Sequence, residues 1–259
     1  MESRAAQAAP DSQLRTHRVS PLLPPLRSLY MCATGRYCIF LDLVHDRYYS
    51  ISRQEIERLR DLICIDDIGD LEARQHSGSF TADDVSRATE LITRGAAPLL
   101  RSLPPLRTVG EQPEAASPAV VAPELRRGCC SPRSAKCKAA AALLKAHGLL
   151  AARSLGSIVS AVRSRQIHAS RSAGCLDQAR MVGLSNSFAR ARPFFPRNYL
   201  CTFDSLSLAL FLTSHDLCPT WIFGVREDPF YAHCWIQAGP VILNDHSDRI
   251  ATFTPIMTI

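Results

Sequence analysis

Between Pro98 and Pro132 the chain places seven of its 17 prolines, Pro104-Pro105 among them. Proline fixes φ and offers no backbone N–H, so such a density sustains neither a helix nor a central strand. The stretch 98–132 therefore reads as a linker between a front module, 28–97, and a back module, 133–259. Charge is as uneven as proline. Residues 125–197 carry 14 basic side chains against one acid, Asp177, while the segments on either side are net acidic. A basic middle suits a solvated helical surface or an acidic partner. Hydrophobic residues at 46% and charged ones at 21% exclude a wholly disordered chain. No apolar run approaches the ~18–20 residues of a membrane span. The first 30 residues lack the apolar core of an export signal, so a cytoplasmic location with reduced thiols is expected. The ten cysteines contain no CxxC pair, and no structural metal is expected.

In the front module Tyr37, Ile39, Leu41 and Leu43 alternate with Cys38, Phe40, Asp42 and Val44, the period of a strand. His45-Asp46 supplies a turn, and Arg47 to Ile51 returns as a second strand. Ser52 and Glu55 form a capping-box signature before a helix with Ile56, Leu59 and Ile63 on one face. Thr81 to Asp84 opens another helix, with Val85, Ala88 and Ile92 on one face and Gly95 past its end. The sum is a small α+β module. Beyond the linker an Ala-rich helical pattern runs from about Lys136 to Val162, and Gly148 and Gly156 allow a break in it.

The last 60 residues carry the chemistry. Cys201 directly precedes the buried-helix pattern Thr202 to Leu212, and Pro193 and Pro196 prevent an earlier start. A thiol at a helix N-terminus meets unpaired N–H groups and the positive end of the dipole, which favour the thiolate. Downstream, Trp221 to Val225, Tyr231 to Gln237 and Val241 to Asn244 read as strands. A hairpin centred on Gly239 makes His233 and Asp245 cross-strand neighbours, each six positions from the centre. A bulge at Pro240 would shift that register by one. Thiol, imidazole and carboxylate are the three groups that thioester catalysis needs. His215 with Asp216, and His246 with Asp248, are the weaker alternatives by position.

These residues resemble the lasso-peptide leader peptidases, the B proteins, which are papain-like cysteine proteases of the transglutaminase-like type. The family pattern is Cys-Leu-x-x-Ser-Leu-Ala-Leu, a Gly-Val strand, Pro-Phe-x-Ala-His-Ala-Trp, and a hydrophobic strand ending in Asn-Asp. This chain matches at Cys201, Ser205, Leu206, Leu208, Gly224-Val225, Pro229-Phe230, Ala232-His233, Trp235 and Asn244-Asp245. It departs at Thr202, Ser207 and Cys234, and strand alternation turns Cys234 away from His233. The resemblance implies Cys201 as nucleophile, His233 as base and Asp245 as its orienter. It also implies a fold class, α+β, with a winged-helix-like leader-recognition module joined to the protease domain. The partners it implies are a precursor peptide, bound through its leader, and an ATP-using cyclase resembling asparagine synthetase. This chain shows no Gly-rich phosphate loop, so ATP is expected at that cyclase and no cofactor here.

Leader contacts are expected along the edge Arg47 to Ile51, with Tyr48 and Tyr49 on opposite sides, and along the helix face of Val85, Ala88, Thr89 and Ile92. Two other functions use the same residues differently. A transglutaminase or acyltransferase would pass the acyl group to an amine instead of water. A nucleic-acid-binding winged helix would need a basic groove helix, and the helix holding Asp83, Asp84 and Glu90 is acidic, which repels phosphate.

Overall fold

The computed structural model describes residues 29–63, 80–94, 96, 100, 120–121, 132–169 and 177–259. Gly95, the first 28 residues and nearly all of the proline-rich linker lie outside them.

The alternating residues of the front module form β2 (Tyr37–Asp42), and the chain returns as β3 (Arg47–Ser52). A further strand, β1 (Leu29–Ala33), precedes them, and the three make an antiparallel sheet in the order β1-β2-β3. Its sequence, Leu29-Tyr30-Met31-Cys32-Ala33, is apolar throughout and shows no alternation that would mark a strand. The turn before β3 contains Asp46 at φ 51, a left-handed conformation that aspartate tolerates better than most residues. Helix α1 (Arg53–Ile63) begins where Ser52 Oγ accepts the Glu55 N–H at 3.1 Å. Helix α2 (Ala82–Thr93) opens with a reciprocal cap, Thr81 and Asp84 each satisfying the other's backbone N–H.

Strand alternation sends the two faces of this sheet into different cores. Leu29, Cys38, Phe40 and Ile51 pack against Leu59, Leu62 and Ile63 of α1 and Val85, Ala88 and Leu91 of α2. Cys32, Ile39 and Leu41, with Leu43 just past β2, join the main core of the back half.

The back half begins with β4 (Val120–Val121), a two-residue strand inside the proline-rich stretch that pairs parallel to β7 at the sheet edge. An edge position is where a proline-flanked segment can be accommodated. Helices α3 (Pro132–Ala152) and α4 (Leu155–Ala169) follow as a hairpin. The break falls at Arg153-Ser154 rather than at Gly148, which stays helical. Helix α5 (Gln178–Ala191), capped by Asp177, has no counterpart in the sequence reading. Helix α6 (Cys201–Thr213) is buried on nearly all faces. Next come β5 (Thr220–Glu227), β6 (Phe230–Ala238), β7 (Val241–Ile242), the short α7 (Ser247–Ile250) and β8 (Thr254–Thr258). They form a sheet in the order β4-β7-β6-β5-β8, with α6 packed against its centre. The result is a mixed helix and sheet protein. No helix among the described residues is long and apolar enough to cross a membrane.

The two halves meet along a tight seam. A Cβ at Gly156 would lie 2.6 Å from the Leu43 carbonyl oxygen, so glycine is what lets α4 approach the β2–β3 turn. The Leu155 N–H donates to the Asp46 carboxylate at 3.1 Å. At the other end, the Thr34 hydroxyl and the Arg36 N–H both donate to Glu227 of β5.

Candidate active site

Cys201 is the first residue of α6, and no side chain caps that helix at Leu200. Its entry is fixed from within instead. Asp204 Oδ2 accepts the Leu200 N–H at 2.9 Å, and the other carboxylate oxygen accepts Arg192 Nε. Arg192 is only 4% exposed. Its remaining nitrogens donate to the carbonyls of Phe195, Arg197 and Asn198 at 3.3, 3.0 and 3.1 Å. One buried guanidinium thus folds the proline-bearing loop that delivers Cys201, and Asp204 supplies the paired charge such burial requires. The Tyr199 ring covers it at 4.3 Å.

His233 lies in β6 opposite Gly224 of β5. A side chain at Gly224 would meet the Trp235 ring at 2.9 Å and Phe253 Cβ at 3.1 Å. Those two aromatics flank the imidazole, with ring centroids 6.2 and 5.2 Å away. The imidazole Nε2 is hydrogen-bonded to Asp245 Oδ2, while Asp245 Oδ1 accepts the His246 N–H at 2.8 Å.

The route by which Asp245 arrives differs from the expected one. The hairpin pairs Gln237 with Ile242 and Ala238 with Val241, so its centre lies between Gly239 and Pro240. The rung opposite His233 therefore falls one residue beyond Asp245, and β7 ends after two residues. Gly239 at φ 56 with Pro240 forms a two-residue turn. At the next rung the Leu243 N–H still donates to the Ile236 carbonyl at 2.9 Å, but the Ile236 N–H is taken by a side chain, Asn244 Oδ1, at 2.7 Å. Asn244 Nδ2 donates to Ser205 Oγ at 3.0 Å, and Ser205 donates to the Cys234 carbonyl at 3.0 Å. This chain of bonds ties α6, β6 and the Asp245 loop into one piece. In the sequence Asn244 and Ser205 stand out as points of resemblance and as members of a strand and a helix, with nothing to mark them as the tie between α6, β6 and the Asp245 loop.

The electrostatics separate the three groups. At Cys201 the hydrogen bond from the Cys234 thiol favours the thiolate, burial opposes it, and the hydrogen bond and charge of His233 favour it again; its pKa falls to about 4. Burial works against a charged His233, but Asp245 and the Cys201 sulfur outweigh it and the pKa rises to about 9. Burial would raise the Asp245 carboxyl, yet its bonds to His233 and His246 bring it below the usual range. His233 Nδ1 is buried without a hydrogen-bond partner; with Nε2 held by Asp245, it is the ring nitrogen left for the Cys201 sulfur, which acts on the imidazole. The arrangement is a thiolate–imidazolium pair backed by a carboxylate. Cys234 is not remote from it: its thiol lies 3.9 Å from Thr202 Oγ1, the oxygen that Cys201 Sγ also meets at 3.9 Å.

The alternative histidines stand elsewhere. His215 is buried in the turn after α6 with its ring against Phe211, and His246 lies next to Asp245 but outside its pairing with His233. No group of three or more metal-ligating side chains gathers among the described residues.

The residues expected along the front edge divide between the cores. Tyr48 faces the back half, its ring 5.8 Å from Phe230. Burial first, then the Cys234 and Cys201 sulfurs, push its phenol pKa up. Tyr49 faces the other way, stacked on Phe40 at 4.8 Å with the Arg94 guanidinium 5.1 Å above the ring. Ile51 and Val85 are buried in the front core, so their side chains pack rather than lie open. Thr89 is half-buried and its hydroxyl donates to the Val85 carbonyl at 2.8 Å. β3 itself is an edge strand.

A thiol at the start of a buried helix, lying against a histidine-bearing antiparallel sheet, is compatible with cysteine protease or acyltransferase chemistry and does not single out one activity. Residues 142–258 match the transglutaminase-like superfamily, so the chain carries a transglutaminase-like domain spanning most of α3 through β8. No curated protein and no solved structure matches the chain.

Proposed function

We propose that this protein is a cysteine peptidase that removes the leader from a ribosomally made precursor peptide of the lasso type. The observation that carries the reading is the imidazole of His233, held by Asp245 at Nε2 and turned to Cys201 with Nδ1. The Cys201 thiolate attacks the scissile carbonyl and forms the C–S bond. His233 gives its proton to the departing amine, the C–N bond breaks, and a thioester remains. Water, deprotonated by His233, then releases the leader acid and the thiol.

The front sheet serves as the winged-helix-like recognition element. Its open β3 edge offers backbone N–H and C=O groups to an extended leader, with Tyr48, Tyr49 and Thr89 at the margins. The freed core peptide passes to the ATP-using cyclase. The match to the transglutaminase-like superfamily supports thioester chemistry as such, and the same triad would serve an acyltransferase. The full chain incubated with the precursor peptide, with and without a primary amine, separates the two: a free leader acid supports the peptidase, and an amide adduct favours the acyltransferase.

The rate of cleavage should be bell-shaped in pH. Below about 4 the nucleophile is protonated, and above about 9 the imidazolium can no longer protonate the leaving amine. Both limits belong to the coupled pair rather than to either residue alone. A rate that rises steadily to pH 10 would remove His233 as the acid.

A further inference from the structure

The mechanism leaves one buried thiol beside the nucleophile unused. Cys234 is 2% exposed and lies against Thr202, whose hydroxyl oxygen is 3.9 Å from both sulfurs. The backbone fixes this proximity. Ser205, one turn along α6 from Cys201 and therefore on the same helix face, donates to the Cys234 carbonyl at 3.0 Å. Residue 234 is thus pinned beneath the first turn of α6, where the Cys201 side chain also lies. The indole of Trp221 also lies beside the Cys234 thiol. Cys201 is half-buried and so reachable by a small solute, whereas Cys234 is not.

We propose that Cys201 and Cys234 form a reversible oxidation site, at which peroxide oxidises Cys201 and Cys234 resolves it to an intramolecular disulfide. In the first step the Cys201 thiolate attacks one oxygen of hydrogen peroxide. The S–O bond forms and the O–O bond breaks. Hydroxide leaves and takes a proton from the His233 imidazolium, so sulfur is oxidised by two electrons to the sulfenic acid and peroxide is reduced to water. In the second step the Cys234 sulfur attacks the Cys201 sulfur. The S–S bond forms, the S–O bond breaks, and the Cys234 proton leaves with the hydroxyl as water. Two thiols and one peroxide thus become one disulfide and two waters. Thiol reductant reverses the change.

The two sulfurs suit these roles. The lowered pKa of Cys201 keeps it as thiolate, the form that attacks peroxide. Burial holds Cys234 as the neutral thiol, protected until its neighbour has reacted. The disulfide blocks the nucleophile, and it also stops Cys201 from advancing to the irreversible sulfinic acid.

The test is intact-mass and peptide mapping of the full-length protein after brief exposure to hydrogen peroxide, followed by alkylation of the remaining thiols. The wild type should lose the mass of two hydrogens, yield a crosslinked Cys201–Cys234 peptide, and return to the starting mass with dithiothreitol. Cys234→Ala and Cys234→Ser should instead trap dimedone at Cys201 and accumulate at least about tenfold more sulfinic acid there. Two replacements of different polarity guard against a variant that misfolds. Equal sulfinic acid formation in wild type and both variants, or a disulfide mapped to other cysteines, would overturn the proposal. Because the readout is mass, a protein that cleaved no leader would still test the pair. A Cys201 left unmodified in every variant would overturn this proposal and count against the nucleophile as well.

Discussion

The two faces of the β1–β3 sheet have opposite loyalties. Phe40 and Tyr49 on one face belong to a local core made with α1 and α2, while Ile39, Leu41 and Tyr48 on the other belong to the core that surrounds the catalytic helix. One strand with period two therefore serves two purposes, and neighbouring residues in sequence report to different parts of the protein. On the proposed function, recognition and chemistry would lie a sheet's thickness apart. A peptide laid along β3 would have Tyr49 under one side of it, and on the other side Tyr48, which leads to Cys201.

Substitutions can break this comparison in order of size. The largest effect is on the chemistry alone. Cys201→Ala should lower leader cleavage by about 10⁴-fold or more and His233→Ala by a similar factor, with Asp245→Ala losing roughly a tenth as much. Leader affinity should stay unchanged, and full cleavage by Cys201→Ala would end the assignment.

Next come the two faces themselves. Phe40 and Leu41 are both fully buried, and truncation to alanine should cost about 2–5 kcal/mol at either site. Their secondary effects should differ. Phe40→Ala should weaken leader binding and leave the pH dependence of Cys201 alkylation alone. Leu41→Ala should disturb that alkylation as well. Urea midpoints combined with iodoacetamide rates would show it, and identical profiles would mean the faces are not functionally distinct.

The seam offers a matched pair of glycines. Gly156→Ala forces a methyl group onto the Leu43 carbonyl, and it should destabilise by about 1–3 kcal/mol. Gly148→Ala has open space around it and should stabilise α3 by roughly 0.5–1 kcal/mol. Equal urea midpoints for the two would show that α4 does not press on the turn.

The smallest effects sharpen the tyrosines. Tyr49→Ala should weaken leader affinity several-fold with no change in thiol reactivity. Tyr48→Ala should do the same and also speed Cys201 alkylation a few-fold, by uncovering the sulfur. If both left alkylation untouched, Tyr48 would not belong to the catalytic side.

Much of this was legible because it depends on local pattern. The β2 alternation, the caps at Ser52 and Thr81, and the start of α6 at Cys201 are all set within a few residues of sequence. β1 was missed because Leu29 to Ala33 is apolar at every position and so carries no alternation. Helix α5 was missed because its buried face includes Ser185 and begins behind an unmarked Asp177 cap. The triad was read from hairpin symmetry, which holds only while backbone pairs with backbone. Here backbone pairing stops at Leu243, where an asparagine side chain takes the Ile236 N–H, so Asp245 reaches His233 from an irregular loop, one rung out of step. The proximity of Cys234 to Cys201 was also beyond the sequence, since alternation gives the side of a strand but not the helix that packs upon it.

The divided sheet has a consequence for how the chain is made. Synthesis runs from the N-terminus, so β1–β3 can pair, and α1 and α2 can cover one face, long before α6 and the β5–β6 hairpin have left the ribosome. Throughout that interval Cys32, Ile39 and Leu41 lack α6 and the β5–β8 strands, which belong to the core that buries them. The face is shielded only once α6 and the strands that pack with it have followed, so the α6 side of the sheet is completed by segments made well after the sheet itself.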